Sequence, residues 1–226
     1  GYVIVPFDEV VDSGLIKQKT SINEEVGEYR EIAASADEIV IEAALTRQAK
    51  LVEFYKQSNV SVNPLVLVQL PSESEKMSAL DKSVREEVEH LLAKHGITYE
   101  NGKLAVWLSE DKKNLNLIEK NESEVQVLIF KEAVAVGWDC PRAQILVMLR
   151  AIRSLTFEIQ TVGRILRMPE AKHYDETELN KAFVYTNIPS ININNRPEDL
   201  DFFKTHFTRK KEGVKDARLP STYLHR

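Results

Sequence analysis

A single cysteine, Cys140, stands in a chain of 226 residues. One thiol excludes an intrachain disulfide framework and cannot build a thiolate zinc site alone, so the chain reads as suited to a reducing compartment. Apolar runs of the roughly 18 to 20 residues needed to cross a bilayer are missing, and the first residues lack the basic segment that opens a signal peptide. The expectation is a cytoplasmic protein with no membrane partner. An excess of positive charge is absent too: the formal net charge is -5, so no global basic surface advertises nucleic acid.

Several motifs are also lacking. G-x-G-x-x-G follows no candidate strand, which argues against a self-contained dinucleotide enzyme. G-x-x-x-x-G-K-[ST], the loop that cradles phosphates and reaches them with a lysine, is absent; Gly102-Lys103 is followed by leucine. His90, His95, His173, His206 and His225 show no spacing with carboxylates or Cys140 that suggests a metal site. No nuclease pattern of the PD-x(n)-(D/E)-x-K type, internal repeat or low-complexity tract is present.

What is there is a soluble globular composition, 43% hydrophobic and 29% charged. Five short apolar runs rich in β-branched residues stand at 65–70, 104–109, 125–130, 144–149 and 182–186. Most are continuous rather than alternating, as strands covered on both faces read. Helical patterns fall at 37–57, at 78–94 with Gly96 as its stop, more weakly at 111–120, and at 155–167 ahead of Pro169. Strands alternating with helices predict an α/β fold: a doubly wound, mainly parallel sheet with helices on both faces. Residues 1–6 are read as an edge strand stopped by Pro6, 17–30 as loop or irregular strand, and Asp8-Glu9 as a surface pair. Expected boundaries are a lead-in and helix packing on the core over 1–60, a main domain over 61–188, and a linker and tail over 189–226.

In an open α/β sheet the loops after the strands are the first places to seek a ligand. Lys131 to Pro141, KEAVAVGWDCP, follows one strand; Gly137 permits a tight turn and Asp139 offers a carboxylate two residues on. On the helix after the next strand, Gln160, Arg164 and Arg167 fall within roughly 60° of one another at about 100° per residue. Leu155, Ile159, Val162, Ile165 and Leu166 face the other way, and Gly163 leaves room beside the arginines. Two like charges one turn apart cost a few tenths of a kcal/mol unless an anion lies between them. Taken alone, this helix is better explained as a solvated basic face, and Trp138 could be a core aromatic in a plain turn.

The order of these segments is more specific than either one. Strand, x-Gly-x-Asp-x-Pro loop, strand, and helix with Gln-x-x-Gly-Arg-x-x-Arg resembles motifs V and VI of superfamily 2 helicases. With Gly-Trp-Asp, EIQTVGRILRMPE, NPLVLVQLP and the early DSGLIKQ, the chain resembles the helicase (Res) subunit of type III restriction enzymes from about Asp12 to Thr186. The resemblance implies a second RecA-like domain, lacking the P-loop, cut from a larger polypeptide whose first RecA-like domain holds the phosphate loop and most of the Mg2+ ligands. It further implies ATP as ligand, with Arg167 as arginine finger, Arg164 on the γ-phosphate and Gln160 positioning water or phosphate. Asp139 would meet the ribose, with Gly137 and Gly163 beside the nucleotide and Lys131 and Glu132 on the nucleic-acid backbone. Implied partners are double-stranded DNA and a modification methyltransferase subunit. Another superfamily 2 motor and a non-catalytic nucleic-acid-binding module remain alternatives.

Overall fold

A computed structural model describes residues 6–29, 35–70, 79–131, 138–149 and 162–187. Residues 1–5 of the expected first strand lie outside that set, as does the whole of the expected linker and tail, 189–226. After Pro6 the chain enters a short helix, α1 (Phe7–Asp12), whose first turn carries the exposed Asp8 and Glu9. Strand β1 (Lys19–Ile22) and a 3-10 turn (Val26–Tyr29) follow.

All five apolar runs form strands: β2 (Leu65–Gln69), β3 (Leu104–Trp107), β5 (Val127–Phe130), β6 (Ala143–Met148) and β7 (Lys181–Thr186). With β1 and a two-residue strand β4 (Lys112–Lys113) they make a seven-stranded sheet in the order β1-β7-β6-β2-β5-β3-β4. Neighbours are parallel throughout except β3 and β4. The protein is thus a mixed α/β fold built on a mostly parallel sheet flanked by helices.

The continuous apolar runs are explained by two cores, one on each face. Alternate residues of β2 divide between them: Val66 and Val68 join one cluster, Leu65 and Leu67 the other. The first face is covered by α2 (Ala36–Gln57) and α3 (Ala79–Lys94). Helix α2 starts where the Ser35 hydroxyl accepts the Glu38 amide hydrogen at 3.1 Å, and Asp37 and Glu38 sit against its positive end. Helix α3 buries Val84, Val88, Leu91 and Leu92 and ends before Gly96, which takes φ +67.

The second face has a different cover. Among the described residues it is packed by Ile118, Val125, Trp138 and Cys140 and by a helical turn at 162–165 with Val162, Ile165 and Leu166 buried. The expected helix over 111–120 is not formed. Asn114 and Leu117 take φ +56 and +55, which an α-helix does not tolerate, and the Asn114 amide donates to the carbonyls of Tyr99 and Leu104. The segment is therefore β4 followed by turns, pinned by side-chain bonds that outcompete helical ones.

Candidate functional site

In a parallel sheet every connection must carry the chain back along the length of a strand before the next one begins. Asp139 stands late in the return from β5 to β6, and Arg164 and Arg167 lie midway along the connection from β6 to β7, where Leu166 and Ile165 bond Lys17 just before β1. They meet beside the second face, toward the ends where strands start. Arg142, three residues beyond Asp139, bonds carbonyls of Asn63 and Val125, which precede β2 and β5. The expectation of a site outside the finishing ends of the strands is corrected accordingly. Lys131 does lie at a finishing end, directly after β5, and is 6% exposed.

The arginines and the Gly-Trp-Asp segment touch through two adjacent residues. The Arg164 guanidinium donates to the Trp138 carbonyl, and the Arg167 guanidinium pairs with the Asp139 carboxylate. The helical turn stops at 165, so Arg167 leaves it and enters an antiparallel bridge with Ile16 instead of sharing a helical face with Arg164. Convergence is retained because both side chains aim at the same two-residue step. Gly163 is exposed, and a Cβ there would meet nothing within 4 Å. Gln160, Gly137 and Glu132 lie outside the described residues.

Trp138 is both a core aromatic and part of this site. Its ring is 9% exposed, meets Trp107 edge-on at 5.9 Å and donates its indole N–H to Glu119 at 3.1 Å. That packing fixes the carbonyl Arg164 uses. Next in sequence, the Cys140 thiol is buried, and burial pushes it up to about 11. Such a thiol is a packing group rather than a nucleophile.

Among the described residues, the carboxylate paired with an arginine of the site is that of Asp139. Arg164 is held below its ordinary range, first by burial and then by the positive charge of Arg167, with Asp139 opposing. The Arg167 and Asp139 side chains are 54% and 48% exposed. A pair that wet is worth about 0 to 1 kcal/mol, so an anion able to accept both guanidiniums can replace the carboxylate at small cost. These groups fit a phosphate. Among the described residues no group of three or more His, Cys, Asp and Glu could hold a metal ion, so a divalent cation would need ligands from elsewhere.

Gly14 to Gln18 enter the sequence analysis only as part of the DSGLIKQ resemblance, with no role at the site. This strap runs along the exit of the arginine segment and is bonded to it at every step. The Leu15 carbonyl accepts from the Met168 amide at 3.0 Å, and the Lys17 amide donates to the Leu166 carbonyl at 2.6 Å. Lys17 Nζ donates to the carbonyls of Ile165, at 2.8 Å, and Arg167. His173 closes the strap from the other side: its Nε2 donates to the Ile16 carbonyl, which leaves Nδ1 to accept from the Gln18 amide. Gly14 has φ +76, and a Cβ there would stand 2.8 Å from the Lys172 Cα, so only glycine fits.

Lys17 is fully buried, and burial pushes it down from its ordinary 10.5 to about 7, against the raising influence of Cys140. Between those values the unfolded chain keeps a proton that the folded chain has shed, so folding stability should rise with pH across this window. The slope is at most about 1.4 kcal/mol per pH unit. Urea unfolding at pH 7.5 and 8.5 should show it, and Lys17→Met should flatten it; above pH 9 the buried Cys140 works in the opposite direction.

No family model matches the chain, and no curated protein shows significant similarity to it. Among the described residues no helix is long and apolar enough to cross a membrane.

Proposed function

We propose that the chain is the second RecA-like half of a superfamily 2 DNA-dependent ATPase, of the kind found in the helicase (Res) subunit of type III restriction enzymes. The observation that carries this reading is the meeting of Arg164 and Arg167 with Trp138 and Asp139, the segments that the resemblance assigns to motifs VI and V. The mostly parallel sheet supports it at the level of architecture.

In phosphoryl transfer, catalysis is mainly positioning and neutralisation of charge on the transferred group. The two guanidiniums are the groups this chain contributes. Arg167 exchanges Asp139 for the γ-phosphate and stabilises the charge that develops there, while Arg164, braced by the Trp138 carbonyl, fixes the approach. The freed Asp139 carboxylate is then available to the ribose hydroxyls. Gln160, Gly137 and Gly163 keep the roles that the resemblance carries over. A phosphate loop and the ligands for Mg2+ come from another RecA-like domain. The resemblance assigns Lys131 and Glu132 to the backbone of double-stranded DNA; Lys131 stands directly after β5, away from the arginine pair, and is 6% exposed. A methyltransferase subunit is the remaining partner under this reading.

A binding module working through a solvated basic strip is less well supported. Among the described residues of the stretch from Arg142 to Lys172, Arg142 is wholly buried and Arg164 partly so, and only Arg167 and Lys172 present an exposed cation.

Hydrolysis assays test the proposal. The chain alone should hydrolyse no ATP, because its sequence lacks the G-x-x-x-x-G-K-[ST] loop that cradles the β-phosphate. Joined to a domain carrying a phosphate loop and an acidic metal-binding motif, it should support DNA-stimulated turnover. Robust hydrolysis by the chain alone would sink the half-site reading, and turnover indifferent to DNA would remove the translocase from it.

A further inference from the structure

A lysine with no exposed surface, 148 residues away in sequence from the first carbonyl it bonds, calls for a reason. Desolvating an amino group costs free energy, and among the described residues its bonds go to the main-chain carbonyls of Ile165 and Arg167 rather than to a carboxylate. The last carbonyls of a helical turn have no intrahelical donors, and a lysine side chain is one of the groups that can satisfy them. Here the donor is supplied across the fold. With the Lys17 amide on the Leu166 carbonyl, three successive carbonyls, 165 to 167, are held by a single residue.

Those carbonyls form the stretch of backbone from which Arg167 projects after the helix stops. Charge is not required for the grip, because a neutral amine still carries the two N–H groups that the two carbonyls accept. We propose that Lys17 is the positioning residue for the arginine pair, fixing the main chain under Arg167 so that its guanidinium is aimed before any phosphate arrives. The inference rests on the ATPase reading for its catalytic consequence, but not for its structural content.

Two readouts separate those layers. In the assembled ATPase, Lys17→Met should lower kcat by about 10²-fold, the scale of a misplaced catalytic group, with KM for ATP and DNA affinity changed by less than about twofold. Lys17→Gln, which keeps an N–H donor, should recover part of the loss. Combined with Arg167→Ala, Lys17→Met should add nothing further, because the group it aims is gone.

In the chain alone, the Arg167 Nε–H signal in nitrogen-edited NMR should shift or broaden in Lys17→Met while the indole signals of Trp107 and Trp138 stay in place. An unmoved Arg167 signal, wild-type kcat in Lys17→Met, or a multiplicative double variant would overturn the inference. So would failure of both Lys17 variants to fold, since Lys17 would then hold the domain and not the arginine. Should Arg167→Ala retain full turnover, the ATPase reading falls, and the NMR result still decides whether Lys17 orders Arg167.

Discussion

Arg142→Met is expected to destabilise the fold by about 3 kcal/mol or more, making it the most damaging single change outside the apolar cores. Arg142 is 0% exposed and stands just before β6. Its guanidinium donates to the Ile118 carbonyl at 2.7 Å, the Asn63 carbonyl at 2.7 Å and the Val125 carbonyl at 3.0 Å. Removing the donors strands two buried acceptors, at about 1 to 3 kcal/mol each, and a third that is partly buried. Against that, the variant no longer desolvates a cation, a relief of several kcal/mol at most. Burial does hold Arg142 below its ordinary range, with Cys140 and Glu119 opposing, so the relief is real. The carbonyls win because methionine carries no donor, and the Ile118 and Val125 carbonyls are bonded in buried surroundings. Arg142→Lys should rescue little, since one ammonium cannot satisfy three acceptors spread around a planar fork. Urea midpoints of the three proteins decide the matter, and a loss below 1 kcal/mol in Arg142→Met would refute the argument.

Arg142 also marks what the sequence conceals. In the linear chain it opens a stretch with Arg150, Arg153, Arg164 and Arg167 that reads as one basic strip. Its partners lie 17 to 79 residues away, and nothing local announces that three open carbonyls from three segments converge on it. Lys17 is hidden for the same reason: a lysine in a polar stretch reads as solvated until the strap is laid against residues 165 to 173. The strands were legible because burial on both faces imposes a composition that short-range reading detects. Helix ends were legible where a cap acts locally, at Ser35 and Gly96. The failure at 111–120 came from Asn114, whose side chain satisfies carbonyls of Tyr99 and Leu104 that periodicity cannot see. Asp139, Arg164 and Arg167, singled out in the sequence, do meet at the candidate site, but their place relative to the sheet was misjudged. The loops were assigned to the ends where strands finish, although chain return in a parallel sheet carries the later residues of each connection to the opposite end.

Arg167→Ala should separate chemistry from stability more sharply than any other substitution in this chain. In the assembled ATPase the expected loss in kcat is about a thousandfold or more, the scale of an arginine finger, with nucleotide affinity little changed. The side chain is half exposed and its partner Asp139 equally so, which limits the stability effect to about 0.5 kcal/mol. Its backbone role survives the substitution, because the Arg167 carbonyl still meets Lys17 and the Met168 amide still meets Leu15. Arg167→Lys keeps the charge but loses the planar fork that reaches two phosphate oxygens at once, so most of the defect should remain. Single-turnover and steady-state hydrolysis beside thermal melts give both quantities on the same samples. If Arg167→Ala instead leaves turnover intact and weakens DNA binding in proportion to salt, the arginines serve a nucleic-acid surface, and the pairing with Asp139 is the ground state of a binding module rather than of a finger held in reserve.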